Sequence, residues 1–359
     1  MGDVLEFSNT RINSSELNSG NYVSTENILQ NFQGIVKARS IPEDTNVMAF
    51  SCGNILLSNI RPYLKKVWKA TFNGGCSSDV FVLQANSNID ADYLHYVVAN
   101  DKFIGFVMNG AKGVKMPRGD KNQMKTYSLS LPSIKEQRKI SRFLSFLDER
   151  IAVQSRLIED LKKLRCAIVE KMFKQSKANG RLGDFIEQVS VRNKNGLYSN
   201  VLSVSNKQGF VKQSEQFEDR TVASEDTSNY KIVKRNNFAY NPARINVGSI
   251  ARLTKFDVGI VSPMYVCFRT KASIIPEYME AFFTSQQFFY EMMKRLEGSV
   301  RLCLSYEGLC NIPVYIPDMN KQIAMGQNIS LILSKIGLEI EYLGRLHQQK
   351  QYLLRKMFI

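Results

Sequence analysis

Cysteine, histidine and acidic charge are in short supply in this sequence, and long apolar runs are missing altogether. The six cysteines (Cys52, Cys76, Cys166, Cys267, Cys303 and Cys310) form no Cys-x-x-Cys pair and show no zinc-ligand spacing. That excludes the usual disulfide frameworks and zinc sites, and scattered thiols of this kind pack as small apolar groups in a reducing compartment. Only two histidines occur, His95 and His347, both on helical stretches without ligand spacing, and both read as structural. No segment approaches the roughly 18 to 20 apolar residues of a membrane span. The opening Met1-Gly2-Asp3-Val4-Leu5-Glu6 lacks the basic start and apolar core of a signal peptide. A cytoplasmic protein with no membrane partner is expected. There is no G-x-x-x-x-G-K-[ST] phosphate loop and no convincing G-x-G-x-x-G turn, so nucleotide chemistry has no visible home in the chain.

What is present is basic. The 359 residues carry 48 Lys and Arg against 33 Asp and Glu, a net charge of +15, with 44% hydrophobic residues. The length suffices for two domains with real cores. A globular protein this cationic meets a polyanion or an acidic surface, and nucleic acid is the commonest such partner.

The chain is also a tandem repeat, which decides the architecture before any local pattern does. Residues 92–173 align with residues 277–358 without a gap, at an offset of 185. Matches include Tyr93 with Tyr278, Phe103 with Phe288, Met108 with Met293, Gly113 with Gly298, Pro132 with Pro317 and Gln137 with Gln322. Ile151 with Ile336 and Leu161 with Leu346 continue the series, and both copies end in Lys-Met-Phe, at 171–173 and 356–358. The upstream halves match more weakly: Gly2–Glu6 pairs with Gly183–Glu187 at 181, and Arg61 with Arg244 at 183. Each copy opens with short apolar runs, such as Val80–Leu83 and Tyr265–Phe268, broken by Gly, Asn and Ser. These read as strands and turns with an occasional helix, such as 276–295.

A Leu131-Pro132 or Ile316-Pro317 turn then opens a long helical pattern free of further proline. In the first copy Leu147, Ile151, Ile158, Leu161, Ile168 and Met172 recur at heptad spacing. In the second, Ile332, Ile336, Leu343, Leu346, Leu353 and Met357 do the same. A seam from Leu147 to Met172 is about 39 Å long at roughly 1.5 Å per residue, so the two helices are expected to pack together. An antiparallel pairing would set Arg165 near Glu339 and Lys350 near Gln154, whereas a parallel one would oppose Arg165 and Lys350. The expected fold is therefore α+β: two mixed α/β domains separated by two long helices forming an antiparallel coiled coil, with pseudo-two-fold symmetry. The expected boundaries are 1–130, 131–176, 177–315 and 316–359. A separation of roughly 40 Å between the domains would match about one turn of B-DNA.

At this point the sequence resembles the specificity subunits of type I restriction-modification systems. The resemblance is carried by the helix opening Leu131–Ile140, the run from Leu144 through Ile158 to Phe173, and the strings Tyr22–Leu29 and Tyr240–Ile250. Their order within a tandem repeat is more specific than any one of them. The resemblance implies two target-recognition domains, each reading half of a bipartite site in double-stranded DNA. It implies helices that space the domains and dock two methyltransferase (modification) subunits, with motor-nuclease (restriction) subunits beyond. S-adenosylmethionine, ATP and Mg would belong to those partners, with no cofactor or metal in this chain. One departure is that little sequence precedes the first domain, where some relatives contribute an N-terminal helical segment.

Candidate DNA-binding residues follow from residue chemistry. Asn241, Arg244, Asn246 and Ser249 crowd a Pro/Gly-punctuated loop suited to phosphate and base-edge contacts. The matching stretch of the first copy holds Asn59, Arg61, Tyr63, Lys65 and Lys66. A second cluster, Lys112, Lys115 and Arg118 among glycines, has Ser299 and Arg301 as its counterpart. Asn241-Pro242-Ala243-Arg244 begins like the Asn-Pro-Pro-Tyr loop of adenine methyltransferases but lacks the second proline and the aromatic, so no catalytic residue is assigned. Two other readings stay open: a stand-alone DNA-binding regulator or interaction scaffold, and a DNA-modifying enzyme with an unrecognised active site.

Overall fold

The computed structural model describes residues 1–174, 177–206, 208–216, 226–299 and 301–358. The chain forms two compact units, Met1–Ser155 with Glu341–Ile359, and Arg156–Ile340. This division differs from one by chain order because each long helix serves both units. The first helix, Ile134–Lys174, and the second, Met319–Met357, each begin in one unit and end in the other.

Unit 1 is built on a four-stranded antiparallel sheet ordered Leu5–Phe7, Val80–Ala85, Ile55–Ser58, Val67–Lys69. Its two central strands are apolar on both faces, because each face covers a separate core. Ile55, Leu57, Phe81 and Leu83 point at the helices Ala91–Val98 and Asp101–Asn109, where Tyr93, Leu94, Val97 and Phe103 receive them. Leu56, Val80 and Val82 point the other way, against Val23, Phe50 and Trp68. That alternation is the period of two expected of a pleated strand. The second sheet runs Arg11–Asn13, Asn46–Phe50, Gly74–Cys76, Tyr22–Val23, with its last pair parallel. Gly74 is required there: a Cβ would stand 2.0 Å from the Asn21 carbonyl oxygen.

Unit 2 repeats the main sheet strand for strand, as Ile186–Gln188, Val266–Thr270, Phe238–Tyr240, Ile250–Arg252. Even the facing is kept. Phe238, Tyr240 and Phe268 enter the helix-side core, and Ala239 and Cys267 enter the other. Beside it lie a hairpin, Leu202–Ser205 with Gly209–Lys212, and the pair Lys231–Lys234 with Val258–Val261. The helix expected over 276–295 is two helices, Pro276–Phe283 and Gln286–Met293. The break falls at Thr284-Ser285, where the Ser285 hydroxyl oxygen accepts the Phe288 N–H and starts the second helix.

The matched glutamines and the matched Lys-Met-Phe ends now have physical reasons. Gln137 and Gln322 are both 1% exposed. The Gln137 amide accepts from the Asp90 N–H (2.8 Å) and donates to the Pro132 carbonyl (2.9 Å). The Gln322 amide does the same with the Ile275 N–H (3.0 Å) and the Pro317 carbonyl (2.9 Å). Each clamps the start of a long helix to the domain before it. The far ends dock on the other domain: Phe173 packs against Tyr278 (5.3 Å between centroids) and Phe358 against Tyr93 (5.1 Å).

All ten seam positions, Leu147, Ile151, Ile158, Leu161, Ile168, Ile332, Ile336, Leu343, Leu346 and Leu353, are buried or half-buried. Within unit 1 the helix segments run antiparallel, since Asp148 pairs with Lys350 while Arg150 lies over the Tyr342 ring. Lys350 pairs with Asp148, and Glu339 pairs with Lys335 on its own helix. Arg165 faces Glu280, whose carboxyl burial pushes up and Arg252 and Arg165 draw down, with a net upward shift. Lys350 thus finds its carboxylate on the facing long helix, whereas the carboxylate near Arg165 belongs to the domain helix Pro276–Phe283.

Candidate nucleic-acid interface

In unit 1 the strand Ile55–Ser58 runs out into Asn59-Ile60-Arg61, and Arg61 takes a left-handed backbone (φ +51). Pro62 then opens a short 3-10 turn, Pro62–Leu64, that ends on Lys65, also left-handed at φ +54. Non-glycine residues pay of order 1 kcal/mol for this conformation, so neighbours must hold it. They do: the Arg61 N–H donates to the Pro117 carbonyl (2.8 Å) and the Gly119 N–H to the Asn59 carbonyl (3.1 Å). The two basic clusters that lie far apart in sequence are thus one surface.

Residues 112–118 form a finger closed by an antiparallel bridge between Lys112 and Arg118. Several cations of this surface are already engaged. Lys65 pairs with Asp101 (2.7 Å), Lys112 with Asp120 (2.9 Å) and Arg118 with Asp79 (3.2 Å), while Lys66 donates to the Thr25 carbonyl. Lys112 and the backbone N–H groups of Gln123 and Asn122 hold the Asp120 carboxyl below its usual range. Exposed pairs such as these are weak and can be exchanged for phosphate. Tyr63 and Lys115 face solvent. The Asn59 side-chain oxygen and the Arg61 Nε are buried without a hydrogen-bond partner.

Unit 2 has the same scaffold with other side chains. The strand Phe238–Tyr240 leads into Asn241-Pro242-Ala243-Arg244, a 3-10 turn Ile245–Val247, and Gly248 at φ +89. The Leu304 N–H donates to the Pro242 carbonyl (3.1 Å), tying a second finger, bridged between Glu297 and Cys303, to this loop. Gly298 turns that finger at φ +113, and a Cβ on it would meet the Arg301 carbonyl oxygen at 2.4 Å. Between loop and finger opens a cleft of about 620 Å³, lined by Asn241, Arg244 and Arg301 together with Gln213, Tyr230 and Tyr265. Arg244 and Arg301 are exposed and have no acidic partner among the described residues. Ser299 is exposed on the finger and Asn246 half-buried. Ser249 is withdrawn into the interior: it is 4% exposed and its hydroxyl donates to the Val204 carbonyl (3.2 Å). Asn241 is 9% exposed and its Oδ1 accepts the Ala243 N–H (3.1 Å), so it shapes the cleft floor.

Residues 1–163 match the family model described as the type I restriction modification DNA specificity domain. The likeness to that domain extends over residues 1–163, somewhat less than half of the chain. Over 93 residues it is 33% identical to the type I restriction enzyme EcoDI specificity subunit of Escherichia coli, a match covering 26% of this chain and 20% of that protein. The chain thus spans only about a fifth of that relative by alignment. Its fold is like that of the type I restriction-modification S subunit from M. genitalium, with a TM-score of 0.62 at 17% identity, covering 100% of this chain and 94% of the other. A chain from a structure of a type I R-M system, described in terms of complex assembly and conformational transition, gives 0.59 at 15% identity over 99% and 95%. These two likenesses establish the fold.

The sequence singles out Arg61, Arg244 and the finger residues but gives no sign of what surrounds them. Gln213, Tyr230 and Tyr265 come to the cleft from separate strands and loops, and no local pattern marks them. Asp79, Asp101 and Asp120 were hidden by the large positive total, which says nothing of where single carboxylates sit.

Proposed function

We propose that this chain is the DNA specificity subunit of a type I restriction-modification complex, each unit reading one half of a bipartite site. The observation that carries the reading is one scaffold used twice with different side chains at its reading positions. Arg61 and Arg244 are matched, whereas Asn59 answers to Pro242, Lys112 to Glu297, Met116 to Arg301 and Arg118 to Cys303. A protein reading two different half-sites needs that combination: a constant frame for the backbone and variable groups for base edges. Phosphate contacts would come from Tyr63, Lys65, Lys66, Lys112, Lys115 and Arg118 in unit 1 and from Ser299 in unit 2, with Arg61, Arg244 and Arg301 reaching base edges.

The long helices would set the gap between half-sites and dock two methyltransferase subunits. Apolar side chains exposed at repeat-equivalent positions support the docking: Phe146 and Val153 in unit 1, Leu331 and Leu338 in unit 2. S-adenosylmethionine would then sit in the methyltransferases, and ATP and Mg in the motor-nuclease subunits, all in the cytoplasm.

The test is adenine-methylation mapping of the native host with this gene intact and deleted. Disappearance of one two-part motif is the expected result. An unchanged map in cells that make the methyltransferase would overturn the reading.

A further inference from the structure

The finger of unit 1 is braced far more firmly than a surface turn requires. Its legs exchange two backbone hydrogen bonds, Lys112 N–H to Arg118 O (3.0 Å) and Arg118 N–H to Lys112 O (2.9 Å). Two more tie it to the loop at Asn59 and Arg61, and the ion pairs with Asp120 and Asp79 hold both legs to the body. Gly113, at φ +95, makes the turn in a conformation that L side chains rarely adopt. What this frame presents is apolar: Val114 at 104% exposure and Met116 at 52%, with Lys115 exposed between them. Single exposed apolar residues are ordinary. Two on the tip of a braced, basic turn that adjoins Arg61 and Tyr63 are a device for contact.

We infer that this finger enters the major groove of duplex DNA and rests Val114 and Met116 against the C5-methyl group of a thymine. The inference rests on the DNA-reading role proposed above and names part of what unit 1 reads. Groove size selects the route. A two-stranded ribbon fits the major groove, about 12 Å wide, and not the minor groove, about 6 Å wide. In the major groove the thymine methyl is the one apolar feature a base pair presents. Charge selects the partner. Lys115, exposed at the tip and without an ion pair among the described residues, sets a cation between Val114 and Met116, which suits a neighbouring phosphate and would oppose docking on a basic protein face.

The experiment uses the full chain and a duplex carrying the bipartite motif recovered by methylation mapping. Each thymine is replaced in turn by uracil, which keeps every hydrogen-bonding group and removes only the methyl. The wild-type chain is expected to lose roughly threefold to tenfold in affinity at one thymine of one half-site, the value of about one buried methyl group. A Val114→Ser, Met116→Gln double variant should lose that sensitivity while retaining the wild-type circular dichroism spectrum. A motif without thymine, uniform indifference to uracil, or a variant as sensitive as the wild type would overturn the inference. Failure of the wild-type chain to bind the motif at all would instead overturn the DNA-reading role. A variant with undiminished uracil sensitivity but impaired methyltransferase assembly would give the finger to a protein partner and overturn the inference too.

Discussion

Gln137 and Gln322 show how a single side chain can be legible as a match and opaque as a mechanism. Their pairing across the repeat is plain in sequence, but a buried glutamine acquires meaning only from the groups it satisfies. Replacing Gln137 by Leu leaves the Asp90 N–H and the Pro132 carbonyl, both on half-buried residues, without their partner. At 1–3 kcal/mol for each orphaned group, a loss of about 2–4 kcal/mol is expected on thermal unfolding. Gln322→Leu should cost about the same. His95 makes a second residue-scale case. Burial, aided by Lys350, pulls its pKa down to about 4, and its Nδ1 has no hydrogen-bond partner. The unfolded chain therefore binds the proton more readily between that value and the usual 6.5. Stability contributed by neutral His95 is present above pH 6.5 and declines as pH falls toward 4. A His95→Asn variant should show a shallower fall in Tm across that window, and an unchanged slope would remove His95 as its source.

Elements are where the repeat and the fold part company. Both long helices carry a heptad seam that pattern alone reveals, and the seam residues are sheltered as that pattern implies. The seam is only half of what the helices bury. Leu144, Val169, Phe173, Leu354 and Phe358 also leave solvent, because the end segments of the helices pack on domain cores. Phe358 belongs to the core of unit 1 and Phe173 to that of unit 2. Truncating either to Ala should cost about 3–5 kcal/mol. Phe358→Ala is expected to lower amide-exchange protection around Tyr93, and Phe173→Ala around Tyr278. Equal loss in both places from either variant would contradict the division into units.

At the scale of the whole molecule, two units with one frame and different surface groups should fail separately. Arg244→Ala and Arg301→Ala are expected to weaken DNA binding and relax one half of the motif alone, with Arg61→Ala relaxing the other. Lost base contacts are worth about 1–3 kcal/mol each, tenfold or more in affinity. Methylation mapping in cells carrying each variant reads this directly. Arginine variants that degrade both halves alike would show the unit surfaces to be phosphate-binding without reading bases.

What the sequence by itself determined was the repeat, the α+β class, the two long helices and the identity of Arg61 and Arg244 as matched positions. Periodicity and self-similarity are local or translational properties, and both survive in a string of letters. The tertiary structure decided which face of each strand serves which core, where Lys350 and Arg165 find carboxylates, and that Ser249 is internal while Gln213 and Tyr230 line the cleft. It also joined the loop at Arg61 to the finger at Lys112–Arg118, through backbone hydrogen bonds that any residue could make. Contacts of that kind leave no mark on residue type, so only the folded chain reveals them.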